Sequence, residues 1–202
     1  MIPSGQEEER LVQQSRQGDL ESFNRLVELY QQAVYNLALR MLGDTGEAED
    51  ATQDTFLLAF KGINKFRGGN FKAWIFRIAA NVCRDRLRAR KRKPTLSLDS
   101  LESPSFSSLS SQSESPEDWA MREELGQVIQ QALASLNEKQ RLVVILSDIQ
   151  GFSYEEIAQI TGSSLGTVKS RLNRGRRHLR DYLLQHKELL PPGFVFKVEG
   201  HV

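Results

Sequence analysis

Cysteine, histidine and long apolar runs are scarce in this chain of 202 residues. Cys83 is the single cysteine, so the chain cannot form an internal disulfide. The three histidines, His178, His186 and His201, do not accompany it at the spacing of a zinc site. No apolar run approaches the roughly 18 residues that a membrane span requires. We therefore expect no metal, no membrane insertion and a reducing, cytoplasmic location.

The sequence pattern also lacks a catalytic centre. No carboxylates are paired at metal-ligand spacing, and no nucleophile lies beside a base. Asp50 and Asp54 are one helical turn apart, but their face also carries Leu57 and Lys61, and no histidine supports a metal there. We expect a protein that is not an enzyme and that has no cofactor and no small-molecule substrate.

Charge, in contrast, is abundant and strongly patterned behind a net charge of +1. Residues 61–93 contain 12 Lys and Arg against one acidic residue, and residues 139–190 contain nine against five. The stretch between them, residues 94–138, contains one Arg and eight acidic residues. Two basic blocks separated by an acidic one predict two contact regions for a polyanion.

Residues 136–184 have the pattern of a helix-turn-helix. Ser153 begins a capping box at the start of a short helix. Gly162 suits the left-handed position just after the end of that helix. Either Ser163 or Ser164 can cap the helix that follows.

This second helix has two contrasting faces. An apolar stripe that would attach it to its domain consists of Leu165, Val168, Leu172, Leu179 and Leu183. The opposite face carries Gly166, Lys169, Ser170, Asn173, Arg174 and Arg177, with Arg171 on its flank. Arg, Lys, Asn and Ser are the side chains that pair with guanine, adenine and phosphate in a major groove. A charged face alone would favour solvated surface, but together with the capped short helix and the glycine turn it favours DNA binding.

The first half of the chain is predicted to be helical. Residues 6–42 have helical periodicity with a break at Gly18 and Asp19, and a further helix is expected over about residues 47–64. One arc of the latter helix carries Asp50, Gln53, Asp54, Leu57 and Lys61. This arc is either ordinary solvated surface or a protein-docking face, in which an exposed leucine is surrounded by polar groups.

A glycine-containing loop over residues 66–70 precedes another predicted helix from Phe71 to residue 93. Its apolar stripe is Phe71, Trp74, Ile75, Ile78 and Val82, and its basic stripe is Arg77, Asn81, Arg84, Arg88 and Lys91. Aromatic side chains beside a basic face suit stacking on unpaired bases while the cations hold the backbone. The alternative is that Phe71 and Trp74 are ordinary core residues, which spacing alone slightly favours for Trp74, but the density of Lys and Arg favours nucleic acid over solvated surface.

Residues 94–118 are rich in serine, contain three prolines and lack Lys and Arg. They are predicted to be a flexible linker with a coil span of roughly 25–30 Å and a stretched limit of ~85 Å. A second helical group follows over residues 119–188, in which Asn137 is an expected helix cap. In the tail, residues 189–202, the apolar segment 194–198 is either a strand packed on the preceding domain or a partner-binding strand.

The order of these pieces resembles bacterial RNA polymerase sigma factors of the extracytoplasmic-function (group IV) type, within the sigma-70 family. The matching stretches are GDLESFNRLVELY, EAEDATQDTFLLAF, FRGGNFKAWIFRIAANVCRDRLR and LNEKQRLVVILSDIQGFSYEEIAQITGSSLGTVKSRLNRGRRHL. The resemblance implies an all-α fold of two small helical domains, sigma-2-like over residues 1–93 and sigma-4-like over residues 119–188, joined by the flexible linker. It also implies a protein that binds core RNA polymerase, recognises two promoter elements and opens the DNA.

The same resemblance implies roles for individual residues. Docking on core polymerase would fall to Asp50, Gln53, Asp54 and Leu57. The melted minus-ten element, with one base flipped out of its strand, would be bound by Arg67, Asn70, Phe71, Trp74, Arg77, Asn81, Arg84 and Arg88. The duplex minus-thirty-five element would be bound by Lys169, Ser170, Arg171, Asn173, Arg174 and Arg177, of which Arg171 and Arg177 are expected on phosphates. An anti-sigma protein is a further expected partner.

A different class of function remains as the alternative. A stand-alone helix-turn-helix regulator would bind duplex DNA without polymerase. Such a protein accounts for the second half of the chain, but not for the aromatic and basic helix of the first half or for the long acidic linker.

Overall fold

The computed structural model describes residues 5–92 and 116–189, and the described part of the chain is helical and contains no strand. The α-helices are α1 (Gly5–Arg16), α2 (Leu20–Leu42), α3 (Thr45–Gly62), α4 (Phe71–Arg92), α5 (Pro116–Ser135), α6 (Glu138–Val144), α7 (Tyr154–Thr161) and α8 (Leu165–Leu183). Short segments continue three of them: 3₁₀ turns at Ile63–Lys65 and Leu184–Leu189 and a π-helical turn at Ile145–Ile149. The predicted all-α fold is confirmed.

The helix boundaries in the first half follow from capping residues. The side chain of Asp19 accepts hydrogen bonds from the backbone N–H groups of Glu21 and Ser22, which starts α2 after the predicted break. Gly43 ends α2 in the left-handed conformation, with φ of 77°. The side chain of Asp44 then accepts from the backbone of Glu47 and starts α3.

Two helix starts differ from the sequence prediction. α3 begins at Thr45 rather than near residue 47, because Asp44 caps it directly after the glycine. α5 begins at Pro116, three residues before the predicted start at residue 119, because proline fits the first position of a helix, where its missing N–H costs nothing. The rest of the predicted linker, residues 94–115, and the tail after residue 189 lie outside the described residues.

α1 to α4 enclose an apolar core. Its largest fully buried side chains include Leu26, Leu37 and Met41 from α2 and Ile75 and Phe76 from α4. In α5 to α8, the fully buried side chains include Leu133, Ile145, Leu146, Ile157 and Leu172. Each half therefore buries an apolar stripe of the kind that the sequence pattern predicts.

The two halves also pack against each other. The rings of Phe76 on α4 and Phe152, in the turn before α7, meet edge to face with centroids 4.8 Å apart. Arg141 on α6 donates through Nη1 to the backbone oxygen of Met41 at 2.7 Å. Gln130 on α5 donates to the backbone oxygen of Arg40 at 3.3 Å. The carbonyl groups at the end of α2 are thus covered by the second half of the chain.

Candidate functional site

The helix-turn-helix is built by the caps that its sequence predicts. The hydroxyl of Ser153 accepts from the backbone of Glu156, and the Glu156 carboxylate accepts from the backbone of Ser153 at 2.8 Å, which completes the capping box of α7. Gly162 ends α7 in the left-handed conformation, with φ of 64°. Of the two serines that could cap α8, Ser164 does so, because its hydroxyl accepts from the backbone of Thr167.

α8 lies very close to α6. Gly175 of α8 is buried, and a Cβ atom built at that position would lie 2.7 Å from Cγ2 of Val144. The absence of a side chain at Gly175 therefore permits the contact between the two helices. By helical spacing this glycine falls beside the buried stripe, three positions after Leu172 and seven after Val168, but the spacing does not show which helix approaches it.

An ion pair between Arg176 and Asp148 joins α8 to the π-helical turn that follows α6. Arg176 donates through Nε and Nη2 to the two oxygens of Asp148, at 3.1 and 2.7 Å. This hydrogen-bonded carboxylate raises the pKa of Arg176, so the guanidinium is charged throughout the accessible pH range. The pair joins α8 to the π-helical turn and thereby orients the basic face. Sequence reasoning missed it because the residues are 28 positions apart and share no helical face.

The face of α8 opposite its buried stripe points to solvent. Val168 and Leu172 are 0% and 2% exposed, whereas Leu165 lies at the margin of the stripe and is 37% exposed. The exposed residues of the predicted DNA-binding face are Lys169, Ser170, Asn173, Arg174 and Arg177. Arg171 differs from them, because it is half-buried and donates to the Ser163 hydroxyl at 2.8 Å. The arrangement presents an amide, a hydroxyl and several cations along one open helix face.

In the first half, one residue of the predicted DNA-binding set is buried. Phe71 is 2% exposed, and its ring packs against those of Tyr30, Phe66 and Trp74 with centroids 5.4–5.7 Å apart. A base cannot stack on a ring that is covered on all sides, so Phe71 is a core residue that supports the loop. Trp74, which packs on Phe66 and Phe71, is only half-buried, so part of its surface is open to solvent.

The loop before α4 is held by the second half of the chain. Oδ1 of Asn70 accepts from the backbone of Ala73 and caps α4, while its Nδ2 donates to Glu156 at 2.6 Å. Lys72 donates to the backbone oxygen of Gln150 at 3.3 Å, and its ammonium lies 4.4 Å from the centroid of the Phe152 ring. In this arrangement the start of α4 therefore faces α7 and the turn that precedes it.

The rest of the predicted minus-ten face is open. Arg67, Arg77, Asn81 and Arg88 are exposed, and Arg84 is half-buried beside Asn81, to which it donates a hydrogen bond. Arg67 is followed by two glycines at φ of 91° and 96°. Only glycine adopts this conformation readily, so the chain can turn sharply into α4. The structure thus brings these four cations to the loop and the exposed side of one helix.

The predicted docking arc lies on the outer face of α3. Asp50, Gln53, Asp54 and Leu57 are all exposed, and Leu57 has 52% of its surface open. A residue that sequence reasoning missed contacts this arc: Arg86 of α4, whose Nη2 lies 2.5 Å from Oδ2 of Asp54. Its Nη1 lies 3.6 Å from Oδ2 of Asp50. Since Arg86 is 32 positions from Asp54 on another helix, no sequence periodicity connects them.

Residues 5–92 and 116–189 also lack two kinds of feature. Within these residues, no group of three or more His, Cys, Asp or Glu side chains is arranged to hold a metal ion. None of the helices described here is both long and apolar enough to cross a membrane.

Comparisons with known proteins identify relatives of both halves of the chain. The family model Sigma-70 region 2 matches residues 26–93, and Sigma-70, region 4, matches residues 126–179. The chain is 36% identical over 178 residues to the ECF RNA polymerase sigma factor SigW of Bacillus subtilis, a match that covers 85% of this chain and 94% of SigW. It is 37% identical over 170 residues to the ECF RNA polymerase sigma-E factor of Escherichia coli, covering 82% and 88% of the two chains.

A match to the ECF RNA polymerase sigma factor SigE of Mycolicibacterium smegmatis has 38% identity over 170 residues and covers 84% of this chain but 65% of that relative. Among solved structures, CnrH in complex with the cytosolic domain of CnrY is similar, with a TM-score of 0.68 and 27% identity, covering 89% of this chain and 98% of that one. The sigma factor RpoE of Bartonella quintana, in complex with the anti-sigma factor NepR, gives a TM-score of 0.65 and 30% identity, covering 82% and 98%.

These matches span both halves of the chain in the order that the motifs predict. The chain belongs to the ECF RNA polymerase sigma factors of the sigma-70 family, and its function is to direct promoter-specific transcription. A stand-alone regulator is not favoured. Such a protein would account for the match of the second half to region 4, but not for the match of the first half to region 2.

Proposed function

We propose that this protein binds core RNA polymerase through the outer arc of α3 and recognises two promoter elements with α4 and α8. The observation that carries this proposal is the position of the predicted DNA-binding residues of α8. Five of the six are exposed on one face, directly opposite the buried Val168 and Leu172. A helix that is fixed by one stripe and open along the other can enter a major groove without unfolding.

The upstream, minus-thirty-five element is assigned to α8. Lys169, Ser170, Asn173 and Arg174 would contact base edges, because they lie centrally on the open face. Arg177 would contact phosphate. Arg171 would do the same from the flank, where its bond to Ser163 already holds its guanidinium toward the start of α8.

The minus-ten element is assigned to α4 and the loop before it. Arg67, Arg77, Arg84 and Arg88 would neutralise phosphates, while Asn70, Asn81 and Trp74 would contact unpaired bases. Phe71 is excluded from direct contact and holds Trp74 in place by ring packing. Asn70 becomes available for DNA once its bond to Glu156 is broken.

Two general properties of the protein follow from the same proposal. The protein acts on a transcription enzyme rather than as an enzyme itself, so it needs no catalytic residue and no cofactor. Its place of action is the cytoplasm, where a bacterium keeps its polymerase and its chromosome.

An anti-sigma protein is proposed as a further partner. The similar RpoE of Bartonella quintana was solved with the anti-sigma factor NepR, and CnrH was solved with the cytosolic domain of CnrY. A regulator of this kind would act by covering surfaces of the two halves, such as the exposed apolar residues of α3.

A charge reversal tests the docking surface. Asp54→Arg places a cation where the proposal needs a carboxylate, so its affinity for core polymerase should fall by about tenfold or more. Glu49→Arg is the matched control, because Glu49 is also exposed on α3 but lies outside the arc. Polymerase affinity is measured by titration of a labelled chain, with a melting curve for each variant. Equal affinities for Asp54→Arg and Glu49→Arg would contradict the proposed surface.

A further inference from the structure

We propose that Arg86 is a positioning residue of the docking surface, which holds the carboxylates of Asp50 and Asp54 in place for a cationic surface of the partner. The inference rests on the docking function proposed above. It concerns a residue on α4, the helix assigned to DNA, and gives that residue a role in binding polymerase.

The geometry places Arg86 behind the two acids. Its guanidinium reaches from α4 to α3, with Nη2 2.5 Å from Asp54 Oδ2 and Nη1 3.6 Å from Asp50 Oδ2. The Arg86 side chain is 27% exposed, whereas those of Asp50 and Asp54 are 66% and 51% exposed. A partner that approaches α3 from solvent would therefore meet the carboxylates before it meets the guanidinium.

A cation between Asp50 and Asp54 reduces the repulsion between their carboxylates. Asp50 and Asp54 are four positions apart on α3, so both side chains project from one face of the helix and their like charges repel. One arginine between them offsets this repulsion and limits the rotamers of both side chains. The three groups together keep one negative charge, and each carboxylate turns Oδ2 to Arg86, so Oδ1 can accept a hydrogen bond from a partner.

The chemistry of this cluster defines the partner surface. A lysine or arginine would pair with the free carboxylate oxygens, and an apolar side chain would cover Leu57, which is 52% exposed beside them. Because the acids are already held in place, less side-chain entropy is lost when the partner binds. A screening role for Arg86, in which it competes with the partner's cations, would require the guanidinium to lie in front of the acids.

The pair is not expected to matter much for stability. Ion pairs of solvent-exposed side chains contribute little to the free energy of folding, because water and salt screen them. Binding can therefore be measured on folded variants. Arg86→Gln removes the charge, and Arg86→Lys keeps the charge but loses the planar fork that reaches two carboxylates. Arg90→Gln is the matched control, because Arg90 is exposed on the same helix and has no proposed contact.

The experiment titrates each labelled full-length variant with core polymerase in the absence of DNA and records its melting curve. Arg86→Gln should weaken binding by about five- to tenfold, Arg86→Lys should weaken it by less, and Arg90→Gln should leave it unchanged. In a chain that carries Asp50→Asn and Asp54→Asn, which itself binds weakly, Arg86→Gln should cause no further loss. A purely structural role would instead lower the melting temperature and add to the loss.

Two results separate the failure of this inference from the failure of the docking proposal. If the double asparagine variant binds weakly while Arg86→Gln binds as well as or better than the unmodified chain, Arg86 does not position the acids, although the docking surface stands. If the double variant binds polymerase normally, the docking surface itself is wrong and the role of Arg86 falls with it.

Discussion

Single side chains of α8 differ in how freely they can meet DNA. Arg174 is exposed in the middle of the open face, whereas Arg171 is half-buried and donates to Ser163. A guanidinium that is free to form a fork can read guanine through O6 and N7. One that is held on the flank of the helix can contact only the nearby phosphates, which carry no sequence information.

This contrast predicts different losses for two substitutions. Arg174→Ala should weaken binding to the cognate minus-thirty-five element by about 1–3 kcal/mol and relax the sequence preference there. Arg171→Ala should weaken binding about equally on all sequences and flatten its salt dependence. Holoenzyme affinity for a set of single-base variants of the element, measured at several salt concentrations, tests both. The assignment fails if the two variants lose affinity equally on every sequence.

Residue roles were only partly predictable from the sequence. The exposure of Lys169, Asn173 and Arg174 follows from helical periodicity, because a buried stripe dictates which face is open. Phe71 and Trp74 both lie on the predicted apolar stripe of α4. The pattern therefore does not show that Phe71 is buried while Trp74 is only half-buried. Arg86 could not be connected to the docking arc, since the contact depends on how α3 packs on α4.

Helix caps determine where the helices begin and end, and close packing determines how they lie against one another. The caps at Asn137 and Ser153 are local in sequence, which is why the sequence predicts them and the structure confirms them. The π-helical turn after α6 and the approach of α8 to α6 depend on contacts between elements, and local propensity does not reveal them.

The approach of α8 to α6 predicts an unusual response to alanine. Replacing glycine by alanine within a helix commonly stabilises it by about 1 kcal/mol. Gly175→Ala should instead lower the free energy of unfolding, because the new methyl group would lie 2.7 Å from Cγ2 of Val144, and overpacking of this kind costs about 1–3 kcal/mol.

Gly166→Ala is the matched control for this prediction. A Cβ atom at Gly166 of the same helix has no neighbour within 4 Å, so that variant should not be destabilised. Denaturant unfolding of the two variants measures the difference. If Gly175→Ala proves as stable as Gly166→Ala, Val144 yields freely and the packing of α8 on α6 is looser than its geometry indicates.

The contact between the two halves of the chain conflicts with the proposed binding of the minus-ten element. Asn70 and Lys72 contact the second half, although they lie where the melted element is proposed to bind. Although Phe76 packs on Phe152, the polar part of the contact is incomplete: within the described residues, Oε1 of Gln130 and Nε of Arg141 are buried without a hydrogen-bond partner. Each such group costs about 1–3 kcal/mol, which favours separation of the halves.

A reducible cross-link between the halves tests whether they separate. Nε2 of Gln150 donates to the backbone oxygen of Ala33 at 3.2 Å, and neither residue belongs to a proposed binding surface. Ala33→Cys and Gln150→Cys joined by a short thiol cross-linker should abolish transcription, and reductant should restore it. Cys83 should not interfere, because it is buried and burial raises its pKa to about 12. Full activity of the cross-linked chain would show that the halves need not part.

The sequence predicts the helical composition and the order of the two halves, but not their contact. Periodicity indicates which side of each helix is apolar, but a helix can bury that side within its own half of the chain. The polar bonds from Gln130 and Arg141 to the end of α2 join residues about 90 to 100 positions apart, so no local pattern could reveal them.

Run-off transcription from a promoter library tests whether this protein directs promoter-specific initiation. Core polymerase from a bacterium with a closely related sigma factor would be supplied with the library, with and without this chain, and the transcript starts would be sequenced. A sigma factor that binds both promoter elements should give starts that depend on the chain and share a two-part motif, one part upstream and one at the melted site. If no start depends on the chain while the chain alone binds duplex DNA tightly and specifically, the protein acts as a stand-alone regulator and not as a polymerase subunit.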